Sequence, residues 1–565
     1  MSPWILLVPG LPLGLALLMI SPLARAWVPT LAPLALLPAL AAVVMLPADT
    51  LLLDDWLLGL RLGLDTTGRV FLLFSALAWL CAALYARAWM ATDPHRFRFT
   101  ALFLLAMAGN LGLCIAQDAL GFYLFFALMT FSAWGLILHR GHPAARHAGR
   151  TFLVLAVLGE AALLVALWFT VANGGADLAL APASVAAAPQ RDLIIALLLV
   201  GFGVKAGLLG LHMSLPLAYD ATPAPGAAVL ASAMIKAGLL GWLRFLPLGA
   251  EALPGWSAVL IMLGFAAAFY GVVIGLLQSS PRVILAYSSI SQMGLMIAGI
   301  GLGLASPAAA GPVLFAVTLY ALHHALVKSA LFLGEGLSRA AAHGLIFAGM
   351  VLLALLLAGA PLTGGALAKY HLKALLDLTP IASPGLLAGL LALASVGTSL
   401  LMARFLWQLH HRTRPTRRPR PALWLPWLLA LLAALLLPWA LVMDTAALRT
   451  PAGLWQAGWP VLAGIALAFI GRHGMGALAP RVPAGDILIP LERLLQQGWR
   501  RGRAVLRINL TRRWRRLRDP GQEALQRLAG PVLGERLEAS LRPWRRFGVL
   551  GLLIAFSLAI LLGAP

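Results

Sequence analysis

Five lysines raise the first chemical question. The chain contains 42 Lys and Arg residues, and only five of them are lysines. Most arginines lie in polar loops or in one C-terminal stretch, whereas every lysine lies in a strongly apolar stretch: Lys205, Lys236, Lys328, Lys369 and Lys373. Arginine keeps its proton in proteins, but a desolvated lysine can release it. Lysine is therefore the basic side chain suited to a proton relay.

Placing a lysine inside a membrane is energetically unfavourable. A lysine at the centre of a bilayer costs roughly 2.5–3.5 kcal/mol on insertion scales. Four such residues facing lipid would cost about 10 kcal/mol, which is comparable to the whole stability of a domain. We therefore expect the lysines to face the interior of a helix bundle, next to carboxylates, histidines or water. The alternative interpretation is a static ion pair at each lysine.

Histidines and one carboxylate are spaced to work with these lysines. In "LYALHHALVKSALFLGEG", His324 and Lys328 are four residues apart and share one helical face. Histidine exchanges protons near neutral pH. His212 follows Lys205 by about two turns, so we expect it on the same helical face. Glu160 is the only carboxylate deep inside its span, so we expect it to pair with Lys205. The predicted proton relay is Glu160, Lys205, His212, Lys236, His324, Lys328 and Lys369.

The composition is that of a membrane protein. Of the 565 residues, 61% are hydrophobic and 11% are charged, whereas a soluble domain carries about 25% charged residues. Apolar runs of about 20 residues recur along the chain, and such runs cross a bilayer as helices. We predict an all-α polytopic membrane protein with about sixteen transmembrane helices. The expected spans are 3–21, 28–47, 68–88, 99–116, 119–138, 151–171, 193–211, 225–246, 256–278, 283–303, 311–335, 344–378, 385–407, 422–441, 455–471 and 547–563.

The twelfth span is too long for one helix. It contains "GAPLTGGALAK", so Pro361, Gly364 and Gly365 are expected to break it into two halves.

Arginines gather in the loops after odd-numbered spans, and the loops after even-numbered spans are acidic or neutral. This asymmetry predicts a periplasmic N-terminus and basic loops on the cytoplasmic side of a bacterial inner membrane.

The net charge of +22 invites comparison with nucleic-acid-binding proteins. In a membrane protein, basic cytoplasmic loops that meet anionic lipid explain the charge, so no nucleic-acid partner is expected. Residues 485–546 mix apolar residues with dense arginine and predict an amphipathic lateral helix on the cytoplasmic side. It is either a lipid-binding surface helix or a brace along this subunit or a neighbour, with the last span as its anchor.

Patterns for cofactors are missing from the sequence. It has no GKS/T phosphate loop, no CxxC pair and no His/Cys cluster for haem or iron–sulfur. Cys81 and Cys114 lie in apolar stretches and are interpreted as packing residues. We therefore expect no cofactor, no metal and no redox chemistry within the chain itself.

Four motifs, in this order, resemble a known family. "GFGVKAGLLGLHMSLPLAYDATPAPGAAVLASAMIKAG", "RVILAYSSISQMG", "HHALVKSALFLGEG" and "GAPLTGGALAK" are similar to signatures of the antiporter-like, proton-conducting membrane subunits of respiratory complex I. Together they cover roughly residues 60–410. "SAMIKAGLLGWLRFLP", "GDILIPLERLL" and the arginine-rich C-terminal stretch resemble the branch that contains subunit 5, the hydrogenase-4-type proteins and the multisubunit cation/proton antiporters.

The resemblance implies two inverted five-helix repeats, each with a broken helix. It implies that Lys205 lies on the broken seventh helix, Lys236 on the eighth, His324 with Lys328 on the eleventh, and Lys369 on the broken twelfth. The expected segments are 1–98 (N-terminal helices), 99–246 (first repeat), 256–407 (second repeat), 422–471 (additional helices), 485–546 (lateral helix) and 547–565 (anchor).

Three positions depart from the family pattern. The fifth-helix glutamate falls at Ala127, so Glu160 on the next span is expected to pair with Lys205 instead. A later histidine is replaced by Tyr219, and the usual Asp-x-Lys before "AYSS" reads Ser280–Pro281–Arg282. The departures indicate a divergent member with an altered ion or partner.

Three functional hypotheses follow from the sequence. The first is a proton-translocating, non-redox subunit of a complex I-related or hydrogenase-like complex, with other membrane subunits as partners. The second is the ion-coupling subunit of a cation/proton antiporter or of a proton-gradient-driven inorganic-carbon uptake complex, with Na+ as an alternative ion. The third is a structural scaffold with inactive channels.

Overall fold

A computed structural model describes residues 3–47, 50–53, 59–340, 344–381, 383–412, 421–471, 482–485 and 487. The chain divides into two compact units, residues 1–52 with 60–485 and residues 53–59 with 486–565. Almost all described residues belong to the first unit. The predicted lateral helix and anchor lie outside the described residues, apart from Gly485 and Ile487.

The described residues are mainly helical, and twelve helical stretches are long and apolar enough to cross a membrane. This confirms the prediction of a polytopic α-helical membrane protein, while the number of sixteen spans stays a prediction. The helices are α1 (Leu7–Leu18), α2 (Val28–Leu31), α3 (Leu37–Met45), α4 (Thr66–Trp89), α5 (Arg96–Ile115), α6 (Ala119–Ile137), α7 (Pro143–Gly174), α8 (Ala181–Ala187), α9 (Arg191–Ala206), α10 (Ser214–Ala221), α11 (Ala224–Val229), α12 (Ile235–Phe245), α13 (Pro254–Leu276), α14 (Pro281–Ala305), α15 (Ala310–Ala340), α16 (Gly344–Ala358), α17 (Gly364–Leu378), α18 (Pro384–Arg412), α19 (Pro421–Ala440), α20 (Ala446–Arg449) and α21 (Pro451–Ile470).

A small two-stranded sheet, which the sequence did not predict, joins β1 (Thr50–Leu53) to β2 (Leu60–Gly63). Arg61 in β2 donates to Asp177 at 2.6 Å and, through its backbone N–H, to Asp118 at 2.9 Å. Asp118 also accepts from the backbone of Gly121 in the first turn of α6. The Asp118 carboxylate therefore caps α6 and ties it to β2, which is a structural role.

The seventh predicted span is not one helix. The predicted span 193–211 is interrupted, as the resemblance implies for the seventh helix, because α9 ends at Ala206 and α10 begins at Ser214. Gly207 adopts a φ of +77° directly after α9, a left-handed conformation that ends helices and that glycine adopts without strain. The break places backbone groups of α9 inside the bundle.

The helices at the centre of the bundle pack backbone to backbone. The most apolar windows of α14 and of the stretch Ala224–Phe245 are entirely buried. A Cβ added at Gly264 in α13 would lie 2.5 Å from the carbonyl oxygen of Gly294 in α14, so only glycine allows this approach. A π-helical turn, Leu230–Met234, joins α11 to α12. One of the predicted relay residues, Lys236, lies in these buried helices, in α12.

Candidate functional site

The closest polar contact among the predicted relay residues joins α12 to α15. Lys236 Nζ lies 2.5 Å from His324 Nδ1, and both side chains are fully buried. Lys236 Nζ also lies 3.4 Å from the carbonyl oxygen of Ala231, within the π-helical turn that precedes α12. Such turns occur frequently at functional sites. The structure thus brings together the lysine and the histidine that the sequence placed on different spans.

Lys328 lies one turn beyond His324 on α15 and contacts α14. Its Nζ donates to the carbonyl oxygen of Leu285 at 2.7 Å and to the hydroxyl of Ser288. Lys328 is fully buried and is close enough to Lys236 to interact with it electrostatically. Oxygen acceptors, and no carboxylate, therefore hold this amine.

Lys369 lies on α17, just after the predicted break in the twelfth span. The break forms as expected, since α16 ends at Ala358 and α17 begins at Gly364. Lys369 Nζ donates to the carbonyl oxygen of Ala358 at 2.6 Å and to Ser395 Oγ at 2.9 Å. The last carbonyls of a helix carry partial negative charge, which favours a cation there. The half-helix α16 therefore supplies a binding site for the amine.

A cavity of about 520 Å³ lies next to Lys369, between α17, α18 and the segment of α20 and α21. Ser395 and Gln456 contribute polar groups to its wall. A cavity of this size with polar groups in its wall accommodates several water molecules. Lys369 is therefore the predicted relay residue that adjoins a large cavity.

Lys205 is held by aromatic rings. It lies in the last turn of α9, and its Nζ lies 4.6 Å from the ring centroid of Phe152 and 5.7 Å from that of Phe126. Aromatic faces attract ammonium groups. Phe126 precedes Ala127, the position of the glutamate that the family pattern leads one to expect. Rings thus contact Lys205 where a carboxylate was expected.

Glu160, on α7, does not form the direct ion pair that we predicted with Lys205. Both carboxylate oxygens of Glu160 and Lys205 Nζ are buried without a hydrogen-bond partner among the described residues. The two groups are nevertheless close enough to interact electrostatically. The carboxylate therefore acts on the amine through its charge at a distance.

His212 lies in the turn between α9 and α10. The prediction that it shares a helical face with Lys205 is wrong, because the helix ends at Ala206. His212 Nδ1 accepts from the backbone N–H of Gly210 at 3.3 Å, and its ring centroid lies 5.2 Å from that of Tyr270. These contacts join His212 to its own turn and to α13.

Two of the departures from the family pattern have structural partners. Arg282 is buried in α14 and donates to Glu335 at 2.7 Å and to the carbonyl oxygen of Thr222 at 2.8 Å. Arg339 also pairs with Glu335. Tyr219 donates to the carbonyl oxygen of Leu230, the first residue of the π-helical turn, at 3.2 Å. Glu335 therefore belongs to a buried ion pair and not to the relay.

We expect Glu335→Ala to lower the free energy of unfolding by about 3–5 kcal/mol, because it leaves the Arg282 guanidinium buried without its carboxylate. Thermal unfolding of the purified full chain measures this loss. Glu251→Ala is the matched control, because Glu251 forms an ion pair with Arg191 in which both side chains are substantially exposed. The control should cost less than about 1 kcal/mol. Equal losses in the two variants would contradict the assignment.

Several buried polar residues at the site were not predicted from the sequence. Tyr320 donates to Gln292 Oε1 at 2.8 Å, and Gln292 donates to Thr398 at 3.0 Å, so α15, α14 and α18 are linked by buried hydrogen bonds. Ser288 stands in the quoted motif "AYSS" and was detectable, whereas Ser395 is a single serine in an apolar helix. Within the described part of the chain, no group of His, Cys, Asp or Glu residues is placed to hold a metal ion.

Two interrupted helices, buried lysines and a lysine–histidine contact, in a multi-pass helical protein, are typical of antiporter-like membrane subunits. Residues 116–383 match the family model described as NADH:quinone oxidoreductase/Mrp antiporter, transmembrane. These residues make up just under half of the chain, and the match confirms the resemblance noted in its motifs.

Named relatives agree with this assignment. NADH-quinone oxidoreductase subunit N of Desulforudis audaxviator is 30% identical over 287 residues, which are 49% of this chain and 56% of the relative. Hydrogenase-4 component B of Escherichia coli is 26% identical over 288 residues, which are 49% of this chain and 43% of the relative. The matches thus span about half the length of these relatives.

The fold is also that of a solved structure. A chain in the Mrp complex from a Dietzia species superimposes with a TM-score of 0.70 at 23% identity, over 99% of this chain and 63% of that chain. A likeness at this identity shows the shared fold.

Proposed function

We propose that the chain is a proton-translocating, antiporter-like subunit of a multi-subunit membrane complex. The contact that carries the proposal is the 2.5 Å approach of Lys236 to His324. Two positive charges at this distance in a low-dielectric interior repel strongly, so the two nitrogen atoms share one proton. A proton that reaches one base can pass to the other without movement of either helix.

The proposed route runs from Lys205 through Lys236, His324 and Lys328 to Lys369, with water completing the steps between side chains. The cavity beside Lys369 supports this end as the exchange point with solvent. At the other end, Glu160 tunes the proton affinity of Lys205 by its charge. A conformational change in a neighbouring subunit that moves one of these two groups would change that affinity and drive the proton onward.

The proposed setting is a bacterial cytoplasmic membrane with the N-terminus outside. The arginine-rich loops support this orientation. In the same proposal, residues 99–246 and 256–407 are the two functional halves, each with one broken helix. Other membrane subunits supply the driving reaction, as the names of the relatives suggest for their own complexes.

Two variants test the function. The complex is purified from native membranes through a tag on this chain and reconstituted into liposomes, and a pH-sensitive dye reports proton movement. A K+ diffusion potential or a Na+ gradient supplies the driving force, so the same assay identifies the ion. We expect Lys205→Ala and Glu160→Gln to abolish coupled proton movement while the subunits still co-purify, because each variant removes one charge of the interacting pair.

Lys205→Arg is the matched variant, since arginine keeps the positive charge but does not release its proton. It should be as inactive as Lys205→Ala. Wild-type proton movement in Lys205→Arg would make Lys205 a structural cation, and wild-type movement in all three variants would refute the proposed function. Sodium-driven movement without proton exchange would identify Na+ as the coupled ion.

A further inference from the structure

A second buried histidine, His323, faces the break between α16 and α17. It precedes His324 on α15, and consecutive residues on a helix point about 100° apart. His323 is almost fully buried, and neither ring nitrogen has a hydrogen-bond partner among the described residues. The backbone of Leu356 in α16 lies close enough to the ring to interact with it as an acceptor, although the geometry falls short of a full hydrogen bond.

The ring lies directly against the backbone of the broken helix. A Cβ added at Gly364 would lie 3.0 Å from His323 Nδ1, and one added at Gly365 would lie 3.0 Å from Nε2. Both distances are shorter than ordinary van der Waals contact. The two glycines of "LTGGALAK" therefore make room for an imidazole.

Lys369 touches the same backbone from another side. A Cβ added at Gly365 would also lie 3.0 Å from Gly359 Cα, and one added at Gly359 would lie 3.2 Å from Lys369 Nζ. The ring of His323 thus lies against Gly364 and Gly365, and the amine of Lys369 lies against Gly359, whose Cα is next to Gly365.

Buried bases surround this imidazole. His323 interacts electrostatically with Lys369 across the break and with Lys236 behind it, and it also interacts with His324. A ring needed only for packing would be apolar, because burying two ring nitrogens without partners is unfavourable. We therefore expect the ring nitrogens of His323 to have a role besides packing.

We propose that His323 carries protons between the Lys236–His324 pair and Lys369, an inference that rests on the proposed function. One ring nitrogen accepts a proton from the pair and the ring becomes an imidazolium. The other nitrogen then releases its proton toward Lys369, which leaves the neutral ring as the opposite tautomer. Rotation of the ring, or exchange of a further proton, restores the first tautomer. Net charge and protons balance over the cycle.

His323→Phe fills the same space without a titratable nitrogen. In the liposome assay we expect it to slow proton movement about a hundredfold, the scale of a lost proton-transfer group, in a complex with a full set of subunits. His410→Phe is the matched control, because His410 is an exposed histidine on α18. It should move protons at the wild-type rate.

Chemical rescue separates a proton carrier from a packing residue. His323→Ala leaves a space for a free ring, so added imidazole should restore proton movement. Pyrazole, a ring of the same shape that is a far weaker base, should not. Failure of imidazole to restore movement, or equal rescue by both rings, would assign His323 to packing and overturn the inference.

The assay also distinguishes this inference from the function on which it rests. If Lys236→Met stops proton movement and His323→Phe does not, His323 is not the link and the relay stands without it. If neither variant changes proton movement, the proposed function itself is wrong.

Discussion

Lys236→Met should reduce coupled proton movement by about a hundredfold or more, the range attributed to a single proton-transfer group. Methionine matches the length of lysine and is apolar, so it fills the buried space between α12 and α15 without a charge. Removing a buried charge in favour of an apolar group of similar volume is often neutral or stabilising. The complex should therefore assemble normally while His324 loses the partner at 2.5 Å. Proton movement in liposomes and the subunit content of the purified complex are measured together.

Lys373→Met is the matched control for this variant. Lys373 is exposed in the wall of the cavity beside Lys369, and its Nζ donates to Gln456 at 3.3 Å, so the same chemical change there removes an amine that is outside the predicted relay. Proton movement should stay at the wild-type rate. A Lys236→Met complex as active as this control would show that the central amine does not carry protons.

The burial of the lysine side chains shows what the local sequence can predict. Apolar surroundings correctly predicted that Lys205, Lys236 and Lys328 are buried. Lys373 lies in equally apolar sequence surroundings but is exposed. Hydropathy averaged over a window reports how apolar a segment is, but it does not report which face of a helix meets a neighbour. That choice depends on packing between segments far apart in the sequence.

The two helix breaks show a similar limit. Pro361 and the glycine pair that follows it predicted the break after α16, because proline and glycine both disfavour helix continuation. The break after α9 contains Gly207 and Gly210, which both adopt a positive φ, in a stretch that is otherwise apolar and helix-compatible. Glycine in such a stretch is as consistent with close helix packing as with a break. The residues themselves therefore did not predict it.

The interaction of Glu160 with Lys205 could be predicted only in part. Helices α7 and α9 touch where a Cβ added at Gly159 would lie 3.2 Å from the carbonyl oxygen of Gly201. Lys205 is one turn beyond Gly201 and faces α7, but Glu160 follows Gly159 and points about 100° away from the contact. The sequence indicates the depth of a residue in its span, and similar depth brings Glu160 and Lys205 near each other. The sequence does not indicate how each helix is rotated about its axis, and this rotation keeps the two groups out of hydrogen-bond contact.

The break at Lys369 depends on one close backbone approach. A Cβ added at Gly365 would lie 2.1 Å from the carbonyl oxygen of Leu356, far inside any distance that real Cβ atoms show. The obstacle is backbone and not the flexible end of a side chain, so it cannot move aside cheaply. An added methyl group must push α17 away from α16, and with it the amine that donates to Ala358.

Gly365→Ala should therefore cost about 3 kcal/mol or more of unfolding free energy, at the upper end of overpacking effects, and should abolish proton movement. Gly14→Ala is the control, because Gly14 lies in the middle of α1, away from the cavity beside Lys369, with open space around its missing Cβ. Alanine there should leave function intact and stabilise the helix by up to about 1 kcal/mol. Thermal unfolding and the liposome assay give the two readouts. Stability close to wild type in Gly365→Ala would mean that the half-helices can separate at little cost, and the contact between Lys369 and the end of α16 would then not be what holds the broken helix in place.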